Sequence, residues 1–407
     1  MPTPLHLAVA LDGAGWHPAA WRLPTARPHE LTRPGYWVDL VQEAERGLLD
    51  LVTIEDALSV QSSSRRGPDG RTDQVRGRLD AVLIAARTAP VTSHVGLVPT
   101  ATVTHTEPFH VSKAIATLDH VSLGRAGWRA QVSSQGHEAR HFGRRAGWDL
   151  EPGAPGRAAA LEDLFAEAGD AVEVVRRLWD SWEDDAEIRD ASTGRFVDRE
   201  KLHHVDFEGR WFSVRGPSIT PRPPQGQPVV VALSHLDVVH RFAARSADVV
   251  LVTPADDAGT TRSVDSIREH QAVAGRADDT VHVWGELVVV LDHDASAARA
   301  RLDHLDALAG VAWTSDAQVF TGTPGELADL LLARQRAGLT GFRLRPAALP
   351  QDLEAITREL VPELQRRGAF RTAYPDHATL RDLLGLPRPA NRYALDPATA
   401  GAAGRNR

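Results

Sequence analysis

The residues best suited to chemistry gather between Val95 and Ser134, a stretch reading VGLVPTATVTHTEPFHVSKAIATLDHVSLGRAGWRAQVSS. Thr100, Thr102, Thr104 and His105 follow a short apolar run, Val95 to Val98, with His110 close behind. Glu55 and Asp56 stand just after another apolar run, Leu51 to Ile54. His17 lies in a loop, Gly13 to Arg22, after a third run, Leu5 to Ala10. Such side chains donate and accept hydrogen bonds, and the histidines exchange protons near neutral pH. They include no obvious nucleophile–base pair. Donors, acceptors and aromatics without covalent machinery suit an enzyme whose difficult chemistry belongs to a cofactor. They also suit a barrel that only binds a sugar or metabolite, and composition does not separate the two. Trp16 and Trp21 in the same loop are better read, each taken alone, as packing residues, since large aromatics dominate buried area.

The elements around these residues alternate. Val95–Val98 reads as a strand, Pro108 opens a helix through about Asp119, Gly124 ends the turn, and a strand runs from Arg125 towards Val132. This is a strand–helix–strand unit, and in a βα barrel the positions after the strands form the active-site face. Further strands are predicted at 51–54, 229–233, 249–252, 281–291 and 341–344. With the run at 5–10 they make eight, and helical spacing lies between them. The alternation breaks after the fourth strand. Residues 135–156 are polar and Gly-rich, a long helix covers about 157–182, and 183–227 is irregular. The expectation is a TIM (βα)8 barrel over 1–392, with insertions at 135–227 and near the C-terminus. A disordered tail is expected at 393–407.

Composition removes several alternatives. A net charge of −8 over 407 residues, with no Lys/Arg run, argues against nucleic acid. No apolar run approaches a membrane span, and the N-terminus lacks a basic segment before its apolar run. The expected setting is cytoplasmic. The absence of cysteine excludes disulfides, thiolate metal sites and Cys nucleophiles. No phosphate-loop, dinucleotide, nucleophile-elbow or HExxH motif occurs, and the 18 histidines show no ligand spacing, so no metal is assigned.

LDHVSLGRAGW, preceded by TATVTHTEPFH, resembles the large subunits of the bacterial luciferase-like flavin monooxygenases. The branch it is most similar to oxidises nitrilotriacetate, EDTA and dibenzothiophene sulfone. GWHPAAWR, EAERGLLDLVTIED, LWDSWEDDA and FTGTPGELADLL extend the likeness from about Gly15 to Asn391. The resemblance implies a TIM barrel, a homodimer through helices near 79–89 and 108–120, and oxygenation of a small organic substrate. Reduced FMN would arrive by diffusion from a separate flavin reductase. It assigns His17 and His105 to polar or acid–base contacts, and Asp56, Thr100, Thr102, Arg129 and Ser133 to the cofactor.

Five positions, at three places, depart from the family pattern. Arg129 replaces an Asn that contacts flavin. Leu164 and Phe165 replace an Arg-Tyr pair near the phosphate. Leu236 and Val239 replace a Ser and a Gly there. Losing two or three charged hydrogen bonds, about 1.5–3 kcal/mol each, weakens phosphate binding steeply. Arg140, His141, Arg144, Arg145 or Arg157 could compensate. The resemblance therefore implies weakly bound reduced FMN. The alternatives are a flavin-poor partner subunit, or a barrel using the deazaflavin F420 or no cofactor.

Overall fold

The computed structural model describes residues 4–62, 67–145, 147, 150 and 153–394. Eight parallel strands close into a barrel. They are β1 (His6–Leu11), β2 (Leu51–Ile54), β3 (Gly96–Thr102), β4 (Gly127–Gln131), β5 (Val229–Leu233), β6 (Val249–Val252), β7 (His282–Leu291) and β8 (Gly341–Pro346). Each pairs with the next, and β8 pairs with β1. Around them lie α1 (Pro34–Arg46), α2 (Ala81–Thr88), α3 (Pro108–Val121), α4 (Gly136–Phe142), α5 (Arg157–Asp180), α6 (Asp237–Ser246), α7 (Asp257–Val273), α8 (Ala295–Ala309) and α9 (Pro324–Arg336). A further helix, Gln351–Ala355, continues through a π-helical segment, Ile356–Leu360, into Val361–Arg366, and a short one, Leu380–Leu383, follows. None of the described helices is long and apolar enough to cross a membrane.

The two-residue period of a strand decides what faces inward. On β1, Leu7, Val9 and Leu11 join the core beneath the helices, while Ala8 joins the barrel interior. On β8, Phe342 and Leu344 face the helices and leave Arg343 and Arg345 to the interior. The lower interior is apolar: Val98, Val231, Leu251 and Trp284 pack with Leu380, Leu384 and Leu386 from the C-terminal segment, which plugs the barrel floor. Side-chain caps begin several helices, with Asp80, Asp256 and Asp294 accepting first-turn amides and Thr323 forming a capping box with Glu326.

The structure corrects the expectation in three places. β3 continues to Thr102, so Thr100 and Thr102 lie in the strand, opposite Arg129 and Gln131 of β4, rather than after it. The β-branched threonines suit that extended, buried surface. A ninth strand, Gln318–Gly322, pairs with the far half of β7, which at 10 residues is longer than barrel closure needs. The span 183–227 holds two short antiparallel hairpins, Glu187–Asp190 with Arg195–Val197 and Phe207–Glu208 with Ser213–Val214. It is tied down by Arg222, 3.0 Å from Asp180 and 2.8 Å from Asp184. Most of the expected tail, from residue 395 onwards, lies outside the described residues.

Candidate active site

Above the apolar floor the barrel interior becomes ionic. Arg129 on β4 donates to Glu55 Oε2 (2.5 Å), Thr100 Oγ1 (2.9 Å) and Gln131 Oε1 (2.9 Å). Arg343 donates to the other Glu55 oxygen (2.7 Å), to Thr53 Oγ1 (2.9 Å) and to Glu286 of β7. Arg345 donates to the second oxygen of Glu286 and to Asp316 at the mouth (2.7 Å). Burial works against the Glu55 carboxylate, but the charges of Arg129, Arg343 and Arg345 outweigh it and hold its pKa down to about 2. Three arginines and three carboxylates thus form one closed network, and none of its charges is left uncompensated.

A cavity of about 730 Å³ meets this network at Asp316 and at Trp16. Its walls come from the loop after β1, the long loop after β2, and residues 309–316. Gly15 makes the first wall possible. Its φ is +125°, and an added Cβ would lie 2.4 Å from the Ala347 carbonyl oxygen. The loop is thereby strapped along the end of β8, with Trp16 N–H and His17 N–H donating to Pro346 and Ala347 at 2.9 Å. Trp16 then stacks over Arg345, 4.5 Å from the guanidinium carbon to the ring centre.

His17 is buried in this wall. Its Nδ1 accepts from the Ala19 amide (3.1 Å), so Nε2 carries the proton and donates to Asp306 Oδ1 (3.0 Å). Burial lowers its pKa against the pull of Asp306. Trp313 meets the ring edge-on with centroids 5.0 Å apart. Asp306 also accepts from Trp313 N–H (2.9 Å), so one carboxylate fixes both the imidazole and the opposite wall.

A second cavity, about 370 Å³, lies where β4 and β5 end between α5 and α6. Leu164, Phe165, Leu236, Val239 and Phe242 wall it, and Arg129, Gln131 and His235 line its polar side. The three sequence departures therefore converge on one apolar chamber. Three of the expected compensating arginines are already engaged. Arg144 pairs with Glu107, Arg145 with Glu167 at 2.7 Å, and Arg157 donates to the Leu150 carbonyl at 3.1 Å.

The remaining candidates are spread around the rim. Asp56 accepts from the amides of Ala57 (2.7 Å) and Ala81 (3.0 Å), joining β2 to the start of α2, and burial raises its pKa. Its carbonyl accepts from Gln131 (3.1 Å), which links it to Arg129. Thr102 is buried opposite Gln131. Ser133 donates to Glu138 of α4, away from the ionic network. His105 holds φ +68°, stacks on Phe142 with centroids 5.5 Å apart, and has its pKa lowered by burial. It lines neither cavity. The structure thus brings Thr100, Arg129 and Asp56 together, puts His17 in the large cavity, and sets His105 and Ser133 apart. Sequence reading missed Glu286, Arg343, Arg345, Asp306 and Asp316. The alternation Phe-Arg-Leu-Arg at 342–345, a strand with charges on its inner face, was the available signal.

Comparison with known proteins follows this geometry. The family model for luciferase-like monooxygenases matches residues 16–338. N-acetyl-S-(2-succino)cysteine monooxygenase of Bacillus subtilis (strain 168) is 31% identical, covering 96% of this chain and 98% of its own. Nitrilotriacetate monooxygenase component A of Aminobacter aminovorans is also 31% identical with the same coverage. Among solved structures, a long-chain alkane monooxygenase shares the fold at a TM-score of 0.82 and 24% identity over the whole of both chains. On this agreement of sequence and barrel, the chain belongs to the luciferase-like monooxygenase family.

Proposed function

We propose that the protein is the oxygenase of a two-component system, using reduced flavin made by a separate reductase to oxygenate a small organic substrate. The observation that carries this reading is the 730 Å³ chamber at the strand ends of a barrel whose relatives are monooxygenases. It meets the ionic network at Asp316, and its walls carry Trp16, Trp313 and His17. A bound reduced flavin supplies two electrons, so that one oxygen atom of O2 enters the substrate and the other leaves as water. Arg129, fixed by Glu55, Thr100 and Gln131, would hold the cofactor at the ends of β3 and β4, with Thr102 and Asp56 beside it. His17, with Nδ1 accepting from the Ala19 amide and Nε2 donating to Asp306, has both ring nitrogens engaged and shapes the side wall against Trp313. His105 and Ser133 are assigned to the rim. The residues present suit a flavin ring; at the phosphate end of FMN they do not, because Phe165, Leu236 and Val239 offer no donor there. Isotopic labelling tests the reading: the oxygen atom added to substrate must come from O2, and a product oxygen that comes from water would refute it.

The assembly we propose is a homodimer through α2 and α3. Leu83 on α2 is 69% exposed and Val121 at the end of α3 is 51% exposed, apolar surface that a partner would cover. Light scattering at micromolar concentration should give twice the mass of the chain, and a monomer would contradict this.

A further inference from the structure

We infer that the cofactor site is built for a flavin whose tail is uncharged, riboflavin rather than FMN. The inference rests on the flavin reading above and on a survey of where a phosphate dianion could sit. Phosphates in proteins are held by helix N-termini and by basic side chains. Among the described residues three arginines line the two cavities, and each is already paired: Arg71 with Asp73 at 2.7 Å, Arg78 with Asp12 at 2.8 Å, and Arg129 with Glu55 at 2.5 Å.

The starts of α2, α6, α7 and α8 are no more available, and α5 meets the apolar cavity with Leu161 and Leu164, its N-cap Gly156 making no side-chain bond and its Arg157 guanidinium turned to the Leu150 carbonyl. At α2, Asp80 accepts from Leu83 N–H and Asp56 from Ala81 N–H. α7 and α8 are capped by Asp256 and Asp294. α6, which borders the apolar cavity, has Leu236 at its N-cap with no side-chain bond and Asp237 as its first residue. That carboxylate takes the favourable place at the positive end of the helix dipole and repels a second anion. Asp237 is held there by His270 (2.9 Å) and Arg241 (3.3 Å).

The chamber itself is apolar on three sides. Its one imidazole, His235, has its pKa lowered by burial and bonds Thr253 Oγ1 through Nδ1 at 2.8 Å, so it brings no positive charge near neutral pH. An ion moved into such surroundings loses far more hydration energy than a hydroxyl does. A ribityl hydroxyl can instead meet Gln131, Ser134 or His235 on the polar side. The volume suffices, since about 150 Å³ lined by apolar residues accepts benzene. The same walls disfavour F420, whose side chain carries a phosphodiester.

The experiment is a parallel titration of the full chain with oxidised riboflavin and oxidised FMN at pH 7.5, followed by quenching of flavin fluorescence. Riboflavin is expected to bind about tenfold or more tighter, with FMN weaker than about 10 μM. The double variant Leu236→Ser, Asp237→Asn supplies a hydroxyl cap and removes the carboxylate. It should reduce the ratio of FMN to riboflavin dissociation constants by about fivefold or more, chiefly through tighter FMN. FMN binding as tightly as riboflavin in the wild type overturns the inference and leaves the flavin reading standing. A ratio unmoved by the double variant overturns it as well. If neither flavin binds, the flavin reading falls and the inference with it.

Discussion

Replacing Glu286 by Gln should lower the stability of the protein by about 3–5 kcal/mol, the cost of breaking a buried ion pair from one side. Glu286 is fully buried, and its two oxygens serve two different arginines, Arg343 and Arg345, which are themselves about 1% exposed. A glutamine fills the same volume and keeps one acceptor, but the negative charge goes. Arg345 then retains only Asp316, a half-exposed partner at the mouth. Arg343 must share Glu55 with Arg129. Three guanidinium groups would then share one buried carboxylate, Glu55. Urea unfolding at pH 7 measures the effect, and a loss below about 1 kcal/mol would mean that water reaches the network.

The second large effect concerns acid. Glu55 ionises at about 2 in the folded protein against an ordinary 4.5. A depressed folded pKa stabilises the protein above the unfolded value and loses that contribution as pH falls through the folded one. The difference corresponds to about 3 kcal/mol at neutral pH, fading between roughly pH 5 and 2. Glu55→Gln should therefore be about 3 kcal/mol less stable than wild type at pH 7 and nearly equal to it at pH 2. Because Glu43 and Asp184, also held to about 2, titrate alike in both proteins, the gap between the two curves isolates Glu55. A gap that stays constant with pH would show that Glu55 acts by shape rather than by charge.

These two effects lie in the part of the molecule that was least legible in sequence. Strands such as Val229–Leu233 and Val249–Val252 announce themselves, because buried parallel strands are continuous runs of branched apolar residues. The helix opened by Thr323-Pro324 is equally plain from its capping chemistry. A strand is harder to read when it carries charge. Gly341–Pro346 looks short because Arg345 reads as a terminus, and only closure of the barrel turns it into a buried ligand of Glu286. Gln318–Gly322 has little apolar content and pairs on one side only, with β7, so nothing local marks it. At the site, His17 was legible as a loop histidine after the first strand. Its fixed tautomer depends on Asp306, 289 residues away, which no local pattern could reveal. The convergence of Phe165, Leu236 and Val239 was legible only through the family resemblance, because no local pattern shows that α5 and α6 pack side by side.

The central claim, that this barrel passes one atom of O2 to an organic substrate, is open to one direct measurement. The chain is incubated with a flavin reductase, NADH, riboflavin or FMN, and a pool of candidate small organic compounds, once under 18O2 in ordinary water and once under 16O2 in 18O-water. Products that need the chain are then weighed by mass spectrometry. The account predicts a product heavier by one labelled oxygen under 18O2 and unlabelled in 18O-water, formed only when reduced flavin is supplied. A product that takes its oxygen from water, or one that forms equally well without reductase and flavin, would contradict it.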